Sequence, residues 1–195
     1  MASSEDYYIA EIEKMGHEGL INLWKTRKKD ADVKSFWEQG KLLEYTLLRA
    51  FELEGATIRW PYNVKIGDDK NGSVIEQIDG AIQFEHFYVL VECKDQQKAV
   101  NIEPFAKMRN QLMRRPSAVI GCIFSTSGFT EPALVLSQFS APQTILLWNG
   151  DEFEYCLENG CFIKGLKEKF RKATEEFVFN YNIAPDKQVA ALSKD

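Results

Sequence analysis

Apolar positions recur along the chain with two different periods. Over residues 7–24, Tyr8, Ile12, Met15 and Leu20, with Leu23 and Trp24 at the end, outline a loosely amphipathic helix that Gly16 and Gly19 interrupt or end. The polar stretch KTRKKDAD (25–32) reads as a connector. A stronger helical stripe, Leu43, Leu47, Ala50 and Phe51, predicts a helix over 35–54, closed by Gly55 in the position after the C-cap. The period then changes. Residues 57–66 form a β-rich run whose Pro61 marks an edge or a bulge. GDDKNG (67–72) is a turn by composition. Residues 74–84 and 87–94 read as the two strands of a hairpin about Glu85-His86. Phe105, Met108 and Leu112 restore the helical period over 102–115, and Pro116 stops it. AVIGCIF (118–124) is continuously apolar, as in a strand buried on both faces. Thr130 is placed to cap a helix over 131–138. Residues 144–148 read as another buried strand, Asn149-Gly150 as a turn, and 152–156 as a short returning strand. Leu166, Phe170, Ala173 and Phe177 form the stripe of a last helix, and the polar tail after Asn180 reads as frayed. This order of elements predicts an α/β protein with a mixed sheet and helices on both faces.

Composition narrows the class. The 195 residues are 45% apolar and 27% charged, enough for one globular core. The chain has no apolar run long enough to span a bilayer, and MASSEDYY at its start has no apolar segment of a secretory signal, so a cytoplasmic protein is expected. Cys93, Cys122, Cys156 and Cys161 form no CxxC pair and read as reduced, mostly buried thiols. Two histidines, His17 and His86, exclude a multi-histidine zinc site and leave little room for a histidine triad; His86 at the hairpin tip reads as a solvent residue. P-loop and GxGxxG patterns are absent. Phe105, Met108, Phe170 and Phe177 read as core positions.

A formal net charge of −5 by itself argues against a nucleic-acid partner, but its distribution is uneven. Residues 42–92 carry nine acids and four bases, whereas 25–29 hold four bases and no acid, and 98–115 and 164–172 each hold five bases and one acid. Acids flanked by basic segments suit a metal-dependent phosphodiesterase, with carboxylates for the metal and cations for phosphates. The alternative for each basic segment is a solvated helix face.

The informative stretch is QIDGAIQFEHFYVLVECKDQQ. Counting from the hairpin midpoint sets Asp79 opposite Glu92, and Lys94, two residues on, shares their face. Directly opposed carboxylates repel, so this pair is not a choice made for stability. A hard divalent cation removes the penalty, and magnesium accepts two carboxylates and a backbone carbonyl while keeping waters. It would acidify a bound water, and Lys94 would orient that water or stabilise charge developing on phosphate oxygens. The other reading of Glu92-x-Lys94 is an exposed ion-paired face, which the apolar Val89, Leu90 and Val91 before it weaken. Glu44 borders the apolar stripe of its helix. It is either a fourth member of the cluster or a surface acid paired with Lys41.

The pattern Asp79…Glu92-Cys93-Lys94 resembles the PD-(D/E)XK nuclease superfamily, and within it the Mrr-like type IV restriction endonuclease catalytic domains. The resemblance covers about residues 39–157. It includes Gly40-Lys41-Leu42-Leu43-Glu44, Ile78-Asp79-Gly80, Val91-Glu92-Cys93-Lys94, Ser125-Thr126-Ser127-Gly128-Phe129-Thr130 and Leu147-Trp148-Asn149-Gly150, in that order. It implies a restriction-endonuclease-like mixed sheet flanked by helices, with residues 1–38 as an N-terminal helical extension and 158–195 as a C-terminal helix and tail. It further implies that Asp79, Glu92 and the Cys93 carbonyl bind Mg2+ (Mn2+ as substitute), that Lys94 serves the attacking water, and that Glu44 assists. Ile78 stands where the motif's proline would be, and Glu92 where the Mrr-like branch often has glutamine.

The expected activity is metal-dependent hydrolysis of DNA, with a double-stranded substrate, in restriction, phage defence or DNA processing. The alternatives are a non-catalytic or partner-activated subunit that keeps the fold, or an RNA or junction substrate. Lys98, Arg109, Arg114 and Arg115 are expected to follow the nucleic-acid backbone. Ser127 and Thr130 with their neighbours would either contact a phosphate or simply cap a helix. Cutting two strands needs two sites, which implies a homodimer or a protein partner, and residues 1–38 are a cap, a dimerisation surface or a docking site.

Overall fold

A computed structural model of the chain describes residues 4–27, 36–38, 40–67 and 72–185. Two short helices open it, α1 (Ser4–Ile12) and α2 (His17–Thr26), separated near Gly16. Their apolar faces, Tyr8, Ile12, Leu20 and Trp24, join the main core. Most of the basic connector (28–32) lies outside the described residues.

The next helix, α3, runs Lys41–Leu53; the expected start at 35 lies outside the described residues. Gly40 at its N-cap has φ 87°, a left-handed conformation that glycine adopts without steric cost and that ends any helix entering from upstream. Gly55 follows the C-cap with φ 99°, as expected. The anticipated β-run at 57–66 divides at Trp60-Pro61 into β1 (Thr57–Arg59) and β2 (Tyr62–Ile66), which belong to different sheets. The expected long strand 74–84 likewise divides at Asp79, into β3 (Ser73–Ile78) and β4 (Gly80–Phe84). β2 and β3 pair as a separate two-stranded ribbon; residues 68–71 of the predicted turn between them lie outside the described residues.

β5 (Phe87–Lys94) leads through α4 (Glu103–Met113) to β6 (Val119–Ser125), and through α5 (Glu131–Ser137) to β7 (Ile145–Asn149). The main sheet has the order β1-β4-β5-β6-β7. Its first two pairings are antiparallel and its last two parallel. Odd-numbered residues of β5 (Val89, Val91, Cys93) face the larger core, with α3 and the N-terminal helices. Leu90 faces a second core with Phe105, Met108 and Leu112 of α4. The result is a five-stranded mixed sheet between helical layers.

The expected returning strand at 152–156 is instead α6 (Gly150–Asn159). Asn149 is its N-cap: the Asn149 side chain accepts from the Glu152 N–H, and Glu152 accepts from the Asn149 N–H. This reciprocal capping box starts a helix where Asn-Gly would otherwise turn a hairpin. Gly150 also permits a close approach, because a Cβ there would sit 2.7 Å from the Thr126 carbonyl oxygen.

The last helix, α7 (Phe162–Glu176), ends one residue before Phe177, which is 56% exposed rather than in the core. The chain beyond it is not frayed through residue 185. The Leu147 N–H donates to the Phe179 carbonyl, and Lys169 donates to the Tyr181 carbonyl. Ile183 packs on the main core. Lys169 and Glu152 form an ion pair at 0% and 1% side-chain exposure. Cys93, Cys122 and Cys156 are buried, Cys161 is half-buried, and all four are free thiols. No described helix is long and apolar enough to cross a membrane.

Candidate active site

The division of the predicted strand at Asp79 builds the site. β4 pairs with β5 from Gly80 on Val91 to Phe84 on Phe87, so the register continues to Asp79 beside Glu92. Because the chain changes sheets there, the Asp79 carboxylate turns onto the next strand and its Oδ2 accepts from the Cys93 N–H at 2.8 Å. Asp79 is 7% exposed. Burial, then the nearby Glu92, pushes its carboxyl above the usual range, against the Cys93 N–H, Lys107 and Lys94.

Glu92 is 1% exposed, and both of its oxygens are taken. Lys94 Nζ lies 2.6 Å from Oε1, and Lys107 Nζ, reaching from α4, lies 2.6 Å from Oε2. A carboxylate this deep requires such compensation. Burial pulls the Lys94 ammonium towards neutrality, but Glu92 and then Asp79 outweigh it and hold its pKa above the ordinary lysine value. Lys94 is therefore charged at neutral pH.

Glu44 pairs with Lys41, but it is buried and not a surface acid. Its Oε2 lies 2.8 Å from Lys41 Nζ, and its side chain is buried within the field of Asp79. Burial, then Asp79, pushes its carboxyl up to about 7, with Lys41 and Lys94 opposing. Glu44, Asp79, Glu92, Lys41, Lys94 and Lys107 thus form one electrostatic cluster.

A protein-family model described as Mrr_cat, restriction endonuclease, matches residues 38–157. The chain belongs to this family. No curated protein matches the sequence significantly. Among solved structures, the Mrr_cat chain is similar to the small subunit of the heterodimeric restriction endonuclease R.BspD6I, at 13% identity over 83% of this chain and 91% of that one, TM-score 0.49. It is also similar to AF1548, a protein of unknown function, at 16% identity over 56% of this chain, TM-score 0.43. A third is the MspJI restriction endonuclease, solved with a 27-mer oligonucleotide, at 15% identity over 99% of this chain, TM-score 0.38. The chain spans 57% of AF1548 and 40% of MspJI. Likenesses of this depth say nothing of substrate or activity.

Among the described residues of the Mrr_cat chain, no three acidic, imidazole or thiol groups converge closely enough to hold a metal ion unaided. The donor chemistry nevertheless fits a hard divalent cation. Asp79 and Glu92 offer oxygen donors, burial and then Glu92 raise the Asp79 carboxyl, and Mg2+ characteristically binds through one or two carboxylates and keeps its waters. Asp79, Glu92 and the Cys93 carbonyl are the groups that would hold it.

The expected nucleic-acid contacts divide. Lys98 and Arg109 are exposed. Arg114 and Arg115 are turned onto the buried Glu76 of β3, with Arg115 Nη2 2.6 Å from Glu76 Oε2. Seven residues separate Arg114 from Lys107, about 10 Å along α4, so this pair ties α4 to the β2–β3 ribbon away from Glu92. The hydroxyls around the next loop are engaged internally. Ser125 donates to the Gly128 carbonyl, Thr126 to Asp95, and Ser127 to the Lys98 carbonyl. Thr130 occupies an N-cap but its side chain makes no capping hydrogen bond. A cleft of about 780 Å³ opens at the ends of the three parallel strands, lined by Asp95, Thr126, Ser127, Asn149 and Gly150 and closed by Trp24 and Arg27 of the α2 end.

Lys107 is the member that sequence reasoning missed. It lies four residues before Gln111, which is buried and donates to the Gln77 carbonyl. That spacing puts Lys107 on the sheet-facing flank of α4. Nothing in the sequence, however, connects that flank to Glu92.

Proposed function

We propose that the protein is a metal-dependent endonuclease that hydrolyses DNA phosphodiester bonds, with Mg2+ as the physiological ion and Mn2+ as a substitute. One observation carries the reading: two buried carboxylates, Asp79 and Glu92, lie beside a charged Lys94 within an Mrr_cat domain. A bound divalent cation supplies a more acidic water and screens the phosphate's negative charge. Asp79 and Glu92, with the Cys93 carbonyl, hold the ion, and Asp79 is itself oriented by the Cys93 N–H. Lys94 presents its ammonium to the attacking water or to the phosphate oxygens. Glu44, its carboxyl pushed up to about 7 by burial and then Asp79, assists the site, and the hydrogen bond that Lys41 donates orients it.

Double-stranded DNA is the proposed substrate, with the exposed Lys98 and Arg109, and Ser127 and Thr130, as its proposed contacts. Arg114 and Arg115 would join only by leaving Glu76. Cutting both strands requires a second copy or a protein partner. Restriction, phage defence or DNA processing is the biological setting we assign, in the cytoplasm.

The second reading, a partner-activated or non-catalytic subunit, draws support from one feature. Both Glu92 oxygens are already neutralised by lysines, so the fold does not need a metal to bury that acid. The test is cleavage of supercoiled plasmid with Mg2+, with EDTA as control, beside Asp79→Ala and Lys94→Ala. Nicking or linearisation that EDTA and both substitutions abolish supports the nuclease. Folded protein that leaves plasmid, single-stranded DNA and RNA intact with either ion supports the second reading.

A further inference from the structure

We infer that Lys107 is a resident counter-ion for Glu92, one that a divalent cation must displace, and that it weakens metal binding by the free protein. The inference rests on the metal-site reading of Asp79 and Glu92. Its starting point is that Glu92 Oε2 is held by Lys107 Nζ at 2.6 Å, while Oε1 is held by Lys94. An oxygen bound this closely to an ammonium cannot give itself to a second cation without strong repulsion between the two positive charges. One lysine must therefore move when the ion enters.

The two lysines differ in how easily each can leave. Lys94 projects from the same strand as Glu92, two residues on, and its side chain is 31% exposed; Asp79 attracts both lysines and does not distinguish them. Lys107 comes from a different element, its side chain is 40% exposed, and among the described residues Glu92 is its one hydrogen-bond partner. A long stem on a surface helix rotates into water at little cost, and the ammonium regains full hydration. Lys107 is the group displaced, and Lys94 stays. The consequence is a brake within the site: the free protein carries its own cation where the metal's charge is required.

The test is Mn2+ binding by isothermal titration calorimetry to the full-length wild type, Lys107→Met and Asp79→Asn, without DNA. Methionine keeps the apolar stem and removes the charge. Thermal melts check that each variant is folded. Lys107→Met is expected to bind Mn2+ about two- to fivefold more tightly than wild type, the range for removing one competing, half-exposed charge. Lys107→Arg should stay near wild type, and Asp79→Asn should lose binding. Equal or weaker binding by Lys107→Met, with Asp79→Asn still abolishing it, overturns the role of Lys107 and leaves the metal site standing. Absence of Asp79-dependent binding in both wild type and Lys107→Met overturns the metal site and this inference together.

Discussion

Lys169→Met should expose how the buried ion pair behind the cleft is balanced. Lys169 and Glu152 are 0% and 1% exposed. Glu152 Oε1 accepts from Lys169 and, at 3.2 Å, from the Ile183 N–H, while Oε2 accepts from the Asn149 N–H at 2.8 Å. Removing the ammonium leaves a buried carboxylate with two amide donors, a change that costs about 3–5 kcal/mol. The lost bond to the Tyr181 carbonyl adds about 1 kcal/mol. Urea unfolding at pH 7 should therefore show Lys169→Met destabilised by about 4–6 kcal/mol against wild type. The double variant Glu152→Gln, Lys169→Met removes the stranded charge and should recover to within about 1–2 kcal/mol of wild type at pH 7. A loss below about 2 kcal/mol, or a double variant no more stable than the single one, would refute the reasoning.

Glu76 supplies a pH dependence of definite sign. Burial pushes its carboxyl up, but hydrogen bonds from Arg115 and Arg114 outweigh burial and hold it below the ordinary glutamate value. Its contribution is complete above the unfolded-state pKa and is lost as pH falls through the depressed folded one. Glu76→Gln should thus lower the melting temperature at pH 7, and the gap should close towards pH 3; an undiminished gap there contradicts the assignment. Gly150→Ala places a Cβ 2.7 Å from the Thr126 carbonyl oxygen. It should cost about 1–3 kcal/mol in urea unfolding, and a neutral result would show that the β6 and α6 ends part easily. On plasmid substrate, Arg114→Ala should change cleavage less than Lys98→Ala, because Arg114 serves Glu76; the reverse order would put Arg114 on the DNA.

Local signals carried some elements and failed at others for identifiable reasons. The continuous apolar run before Ser125 has no alternation, and β6 is indeed buried on both faces. Asn149-Gly150 shows how one dipeptide serves two structures. Asn-Gly favours a hairpin turn, yet Glu152 three residues after Asn149 completes a capping box, and the buried set Phe153, Cys156 and Leu157 has helical spacing. The capping signal was present in the sequence and was outweighed by the turn signal. Phe177 continued a helical stripe by spacing, but the helix ends before it and φ 61° turns its ring to solvent.

The sequence by itself determined the α/β class, the strand register about Glu85-His86 and the adjacency of Asp79 and Glu92. These follow from short-range rules: side-chain alternation in a strand and pairing counted from a local turn. Tertiary structure alone decided that the predicted strand breaks at Asp79, sending β3 and β4 into separate sheets and aiming that carboxylate at the Cys93 N–H. It alone brought Lys107 of α4 onto Glu92, and Arg114 and Arg115 onto Glu76. Buried charges find partners wherever packing delivers an opposite charge, at sequence separations that no local period encodes.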